Sequence, residues 1–283
     1  MTRAPAPRRL IVNADDLGLS AGVNRGIVAC ATAGVVTSAS LLVNTPGFAD
    51  AAAQLNTGAP LDVGLHLNLT TGTPVAGADA VPSLCDARTG RLYPLVALIA
   101  RALARRISSA EVALECAAQI ARARAAGIRL THLDGHEHVH VLPGVWWPVV
   151  ETARRAGIEV VRVPLEPPRS LAWRPAAVAG QVLITAAYRV AARGVPPPRH
   201  PDHFRGFALT GRRDFAARLL RLLDALDAGT TELMVHPGHE DADLTGWVRY
   251  AVGRERELDA LVSPGVRARL RQGDIELTNF GLG

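Results

Sequence analysis

Apolar and polar positions along this 283-residue chain follow two periods in turn. Short apolar runs of strand length give way to longer stretches with the 3.6-residue spacing of helices. Arg9–Asn13 reads as a buried strand and Ala21–Ala33 as a helix closed by Gly34. Val36–Asn44 predicts a strand, Ala49–Gln54 a short helix and Leu61–Leu69 another strand. Residues 70–92, rich in Gly, Pro and Asp, read as a long loop. Helices are predicted over Leu95–Arg106 and Ala110–Ala126. The second opens on Ser108-Ser109-Ala110-Glu111, the spacing of a capping box, and stops at Gly127. There follow a strand at Ile128–Asp134, a helix at Val145–Ala156, a strand at Glu159–Val163 and an apolar helical stretch within Pro164–Pro198. The chain closes with a helix at Phe215–Ala228, a strand at Glu232–Val235, two short helices and a strand at Asp274–Thr278.

Strand–helix units of this length predict an α/β fold with a parallel sheet, either a closed barrel or an open wound sheet. No internal repeat or clear linker interrupts them, so residues 1–283 are expected to form a single domain. In both architectures ligands bind beyond the carboxyl ends of the strands. That rule selects Asp15 and Asp16 after the first strand, His66 late in the third, the histidines from His132 to His140 after the next, and His236 after Glu232–Val235. Four strand ends each deliver an acid or an imidazole to one face.

Thr131-His132-Leu133-Asp134-Gly135-His136-Glu137-His138-Val139-His140 holds four of the nine histidines. Histidine is the commonest metal ligand and titrates nearest neutrality. Fully extended, His132 to His140 would span about 26 Å at ~3.3 Å per residue, so one metal cannot use them all. The strand is expected to end near Asp134, with Gly135 permitting a sharp bend that leaves His136 at the mouth. His138 and His140 would support the site, face substrate or be solvated, and a polar loop with incidental histidines is the plain alternative. Asp15 and Asp16, on an extended strand, would point to opposite faces unless the chain turns at Asp15-Asp16-Leu17-Gly18. One could then bind a metal while the other accepts a proton from water; a helix cap for the next helix would need only one aspartate. His66 among leucines, taken alone, is more often a core residue than a ligand. His236 precedes Pro237-Gly238, a natural start for an active-site loop. His200 and His203 read as a polar loop. Arg162, at a strand end, would orient an acid, bind substrate or form a surface salt bridge.

Composition narrows the chemistry. A net charge of +5 comes entirely from arginine, because the chain contains no lysine. That removes Schiff-base chemistry, a pyridoxal phosphate anchor and a P-loop lysine. Arginines are interspersed with acids along helical segments and aromatic residues make up 4%, so no nucleic-acid partner is expected. No run of 18 uncharged apolar residues marks a membrane span, and the N-terminus lacks the apolar stretch of a signal peptide. Cys30, Cys85 and Cys116, an odd number without close pairing, are expected to be buried thiols in a reducing cytoplasm.

Ile11-Val12-Asn13-Ala14-Asp15-Asp16-Leu17-Gly18-Leu19-Ser20 and Val36-Thr37-Ser38-Ala39-Ser40 resemble the opening of the YdjC-like carbohydrate deacetylases. Gly64-Leu65-His66-Leu67, the histidine-rich stretch and His236-Pro237-Gly238 are similar too, so the resemblance covers essentially the whole chain. It implies a distorted, incomplete (β/α) barrel of mainly parallel strands. It also implies that Asp16, His66 and His136 form a metal triad, that Asp15 is the general base and that His236 is the acid near the reacting group. Leu17 stands where the family usually has Phe. Residues 70–126 and 164–198 match least and are expected to select the substrate.

The expected reaction is hydrolysis of an N-acetyl group on an amino sugar or glycosylated small molecule. One divalent cation would assist, zinc first, with magnesium, manganese, cobalt or nickel also compatible with two imidazoles and a carboxylate. Asp134 would orient a neighbouring imidazole. Trp146, Trp147 and Trp173 are candidates for stacking on sugar faces or for core packing. A phosphoesterase or cyclic amidase on the same barrel, or a non-catalytic sugar-binding relative, remains the alternative, and a homodimer is left open.

Overall fold

The computed structural model describes residues 7–167, 175–241, 244, 247 and 253–282. In chain order the elements are β1 (Arg8–Leu17), α1 (Ala21–Thr32), β2 (Ser38–Leu41), α2 (Phe48–Asn56) and β3 (Asp62–Leu67). Next come α3 (Leu95–Leu103), α4 (Ser109–Ala125), β4 (His132–Gly135), a 3-10 segment at His136–Val141, α5 (Trp146–Arg155) and β5 (Val160–Val161). The rest is α6 (Pro175–Ala191), β6 (His203–Arg205), α7 (Phe215–Asp224), β7 (Gly229–Val235), α8 (Arg254–Val262), α9 (Pro264–Leu270) and β8 (Ile275–Leu277).

All named strands pair in parallel, in the order β5-β4-β3-β2-β1-β7-β6, with β8 beside the first residues of β1. The sheet curls through 239°, which makes the incomplete barrel that the family resemblance implied. Across the gap between β5 and β6, Val161 N donates to Arg199 O at 3.0 Å. The sequence reading placed His200 and His203 in one polar loop. His203 instead opens the short strand β6, its imidazole donating to Ala228 O at 3.0 Å.

Parallel strands covered on both faces usually read as continuous apolar runs. Here they alternate, because the two faces differ in kind. Leu10, Val12, Leu65, Leu67, Leu133, Leu233 and Val235 belong to the apolar core packed with the helices. Each such buried side chain contributes about 1.5–3 kcal/mol, and this outer layer holds the barrel together. The intervening residues Asn13, Asp15, Ser40, His66, His132, Asp134 and Glu232 are buried and polar, and their hydrogen bonds and ion pairs run from strand to strand. The lumen is therefore a charged network.

Helix boundaries follow local chemistry. Ser20 caps α1 by accepting from Val23 N, so neither Asp15 nor Asp16 is spent on that cap. Ser108 caps α4 by accepting from Glu111 N, while the Glu111 carboxylate accepts from Ser83 N at 2.6 Å and fastens the preceding loop.

Candidate metal centre

The acid pair escapes strand alternation by a bulge. Pairing between β1 and β2 shifts register between Ala14 and Leu17, and Asp16 adopts φ 71°. This left-handed backbone costs a non-glycine residue roughly 1–2 kcal/mol and turns both carboxylates toward the mouth. The turn closes with Leu19 N donating to Asp16 O at 3.0 Å.

β3 places His66 at the carboxyl edge, in register with Asp134 on β4. The bend after β4 is not at Gly135, whose φ of −144° is extended. It falls on Glu137 (φ 53°) and His138 (φ 56°), two successive left-handed residues in the 3-10 segment. Gly135 is required for another reason: a Cβ there would lie 2.7 Å from His140 Nδ1. The double turn sends His136 into the mouth, Glu137 outward and His138 back beneath the surface, and the burial of the three follows that alternation. Strain of this size persists only where the surroundings impose it, and it clusters at functional sites.

The result is a close triangle. His136 Nδ1 lies 3.0 Å from Asp16 Oδ1, His66 Nε2 lies 3.4 Å from the same oxygen, and the two nitrogens are 3.4 Å apart. All three residues are at most 6% exposed. Atoms each ~2.0–2.2 Å from one centre adopt such spacings. Asp16 Oδ1 is buried facing the two imidazole nitrogens, without a well-aligned hydrogen bond to satisfy it, an arrangement that a cation resolves. His66 Nδ1 donates to Asp134 Oδ1 at 2.7 Å, which leaves Nε2 facing the triangle as the nitrogen that can ligate once it has lost its proton. A metal ion fits these donors.

Two arginines organise the surrounding charge. Arg162 is 1% exposed and contacts Asp15 through both terminal nitrogens at 2.7 Å, Asp134 at 2.7 Å and Glu232 at 2.6 Å. It is no surface salt bridge. Arg254, at the first turn of α8, pairs with Asp16 Oδ2 and leaves Oδ1 to the triangle. Asp15 also accepts from Asn13 Nδ2 at 2.8 Å, and Ser40 Oγ donates to Asp134 Oδ2 at 2.8 Å. Four carboxylates share two guanidiniums here, an excess of acid that favours a bound cation. Asp15, His66 and Asp134 also cluster closely enough to hold a cation, but the Arg162 guanidinium already serves both acids there.

Titration reflects this excess of acid. Burial alone would pull His66 down, but the charge and hydrogen bonds of Asp134, Asp16 and Asp15 carry it up to about 10. Burial pushes Glu232 up to about 7, since Arg162 is shared with Asp134 and Asp15. Burial would raise Asp16, yet Arg254 and the two imidazoles hold it well below the carboxylate range. Burial draws His236 below its ordinary value against the opposing pull of Glu257, Asp15 and Asp16. His236 follows β7, and its backbone N–H donates to Glu257 Oε2 at 2.7 Å.

The other histidines do not reach the triangle's corners. His132 stacks on Phe280 at 3.9 Å, and burial pulls it to about 3. His138 packs against Phe207 and Phe204, with burial holding it well below its ordinary value. His140 donates from Nε2 to Arg162 O at 3.0 Å, and burial lowers it to about 4. Neither His138 nor His140 is solvated; both are neutral walls behind the site. Trp146 is fully buried, edge-on to Tyr188, so it serves the core and not a sugar face. Trp147 is 49% exposed on α5, and Trp173 lies outside the described residues.

Sequence reasoning missed Arg254, Glu232, Asn13 and Ser40. A signal existed for the strand residues, since Asn13 and Asp15 share one face of β1 at two-residue spacing. Arg254, 238 residues after its partner Asp16, gave none.

The fold and the site together define a class: an incomplete barrel of parallel strands with a buried His/Asp group at its carboxyl edge able to hold a cation. Within it, the chain belongs to the YdjC-like family, whose model matches residues 9–272. It is 36% identical to the carbohydrate deacetylase of Brevibacillus brevis, over 96% of this chain and 98% of that one. It is 35% identical to the carbohydrate deacetylase of Geobacillus stearothermophilus, over 97% of each. The mouse carbohydrate deacetylase is also 35% identical, over 95% of this chain and 93% of its own. Among solved structures, a candidate cellobiose-phosphate cleavage protein of Enterococcus faecalis aligns with a TM-score of 0.74 and 27% identity, covering 97% of this chain and 98% of that one.

Proposed function

We propose that this chain is a metal-dependent hydrolase that removes an N-acetyl group from an amino sugar or a glycosylated small molecule, releasing acetate and a free amine. The observation that carries the reading is the triangle of Asp16 Oδ1, His66 Nε2 and His136 Nδ1 beside a clamped Asp15. The names of the curated relatives support the substrate class.

Asp16, His66 and His136 would hold a divalent cation, zinc first by donor type, with magnesium, manganese, cobalt and nickel compatible. Bound there, it would polarise the amide carbonyl and lower the pKa of water. Asp15, fixed in orientation by Arg162 and Asn13, accepts the proton of the attacking water. His236, anchored through its backbone to Glu257, gives a proton to the departing nitrogen. Asp134 holds the His66 tautomer, and Arg162 sets Asp134 and Asp15 relative to each other. The Arg162 guanidinium between Asp15 and Asp134 disfavours a second cation there, and with it a two-metal phosphoesterase.

The buried free thiols Cys30, Cys85 and Cys116, the last raised to about 12 by burial, suit a reducing cytoplasm. Among the described residues no helix is long and apolar enough to cross a membrane. The test is acetate release from N-acetylglucosamine and its oligomers with purified protein. Chelation is expected to abolish release and zinc to restore it. The reading fails if metal-replete protein frees no acetate, or if chelated protein keeps its full rate.

A further inference from the structure

α6 carries apolar residues on both of its faces, and the protein covers only one of them. Ile184, Ala187, Tyr188 and Ala191 pack inward against the core, with Tyr188 edge-on to Trp146 at 5.2 Å. Ala179, Val182, Leu183, Ala186 and Val190, at three- and four-residue spacing, form an exposed stripe on the opposite side. Val182, Leu183 and Val190 are 57%, 50% and 52% exposed. We propose that this stripe is a docking surface for a bilayer bearing anionic lipid, with Arg189 and Arg193 meeting the headgroups. The surface stands whether or not the metal centre removes acetyl groups.

The arrangement reverses that of an ordinary surface helix, which turns polar residues out and apolar residues in. Gln181 is buried and donates from Nε2 to Pro164 O at 2.9 Å and to Thr185 Oγ1 at 3.4 Å. Polar side chains are thus spent inside while Val182, Leu183 and Val190 meet solvent. A helix that is apolar all round is normally covered on every side. Three of the seven large apolar side chains exposed among the described residues fall on this one stripe, within about 12 Å of helix. A contiguous apolar patch of this kind marks an interaction surface.

Charge selects the occupant. Residues 167–201 contain five arginines, Arg169, Arg174, Arg189, Arg193 and Arg199, and no acid. The whole chain has 31 arginines against 26 acids, so this stretch carries its entire positive excess. Arg189, on α6, and Arg193, in the turn after it, are exposed at the end of the stripe and pair with no acid among the described residues. Glu151, on the neighbouring α5, is taken by Arg154 and Arg155. A second copy docking face to face would oppose two acid-free, positive surfaces. Apolar side chains beside unpaired guanidiniums match instead the interface of an anionic bilayer, the first set among acyl chains and the second at phosphates.

The inner face fixes the orientation. α6 is 17 residues long and is held to the core along its length, so it lies on the lipid and does not cross it. It packs on the 3-10 segment that carries His136, which sets the docked bilayer beside the mouth end of the barrel.

The test is co-sedimentation of the purified full chain with vesicles of phosphatidylcholine alone and of phosphatidylcholine mixed with phosphatidylglycerol. Binding to the anionic vesicles is expected to exceed binding to the neutral ones about tenfold or more, and to fall in ~0.5 M salt. Leu183→Glu, and separately Arg189→Gln combined with Arg193→Gln, are each expected to lower it about tenfold. Circular dichroism melts report whether each variant is folded; if Leu183→Glu melts early, the arginine pair still decides. Wild-type protein that stays in solution with anionic vesicles, or folded variants that bind them as the wild type does, would overturn the docking surface. So would a dimer in sedimentation velocity that Leu183→Glu dissociates, because the stripe would then belong to a second copy.

Discussion

Arg162 grips Asp15 through both terminal nitrogens, each contact 2.7 Å long, and the two residues are 1% and 2% exposed. The same guanidinium also reaches Asp134 and Glu232, so one cation serves three carboxylates that β1, β4 and β7 bring into the lumen.

Arg162→Met leaves three buried carboxylates without their cation. Removing one partner of a buried pair costs about 3–5 kcal/mol, and this hub should cost at least that much. Freed of Arg162, the acids hold their protons more tightly in the folded state, so stability is regained as pH falls. Thermal melts at pH 5 and pH 8 should therefore show the larger loss at pH 8. Equal losses at both would mean the network is not electrostatic.

Asp15→Asn keeps the shape of the side chain and removes the proton acceptor. Turnover should drop by about 10²–10⁴, the range for general-base catalysis, with metal affinity nearly unchanged. Acetate release and zinc titration measured together decide the matter. A variant that retains its rate would point to a binding protein or to a different base.

Metal uptake should release protons. His66, held up at about 10 without a cation, must lose its proton before Nε2 can ligate. Between pH 7 and 9 the apparent affinity should rise about tenfold per pH unit. Titrations in two buffers of different ionisation heat give the proton count directly. A pH-independent affinity would show that Nε2 carries no proton to displace.

Glu232, with its folded-state value raised to about 7 above 4.5, binds a proton more tightly when folded. Its contribution is favourable at low pH and is lost as pH climbs from about 4.5 through 7. Metal-free protein should therefore weaken across that window, and Glu232→Gln should flatten the decline by on the order of 1–3 kcal/mol. Denaturant unfolding at pH 5 and pH 8 measures it; a wild-type slope in the variant would assign the decline elsewhere.

Gly26 on α1 packs against Gly238, where an added Cβ would lie 2.5 Å from the Gly238 Cα. Gly26→Ala should push the His236–Gly238 loop and lower kcat several-fold, at a stability cost of about 1–3 kcal/mol. Unchanged kcat in a folded variant would detach that loop from the chemistry.

The sequence by itself determined the order of the strands and helices apart from β6, and therefore which residues stand at carboxyl ends. Asp15, Asp16, His66, the histidines from His132 to His140 and His236 were legible as candidates because parallel strands all open to one side, whatever the exact curl of the sheet, and the choice of Asp16, His66 and His136 among them came from the family resemblance. Alternation along β1 and β4 placed Asn13, Asp15, His132 and Asp134 on one face. What they faced was not legible, because periodicity reports a face and not its neighbour. Only the curl of the sheet brought Arg162, just after β5, and Glu232 on β7 to a common centre. Only the return of α8 over the barrel mouth set Arg254 on Asp16. Backbone strain at Asp16, Glu137 and His138 was equally hidden, since left-handed conformations at non-glycine residues are imposed by packing and not by local preference. Local chemistry fixes elements and their direction; which distant charges must neutralise one another is settled when the sheet curls around them.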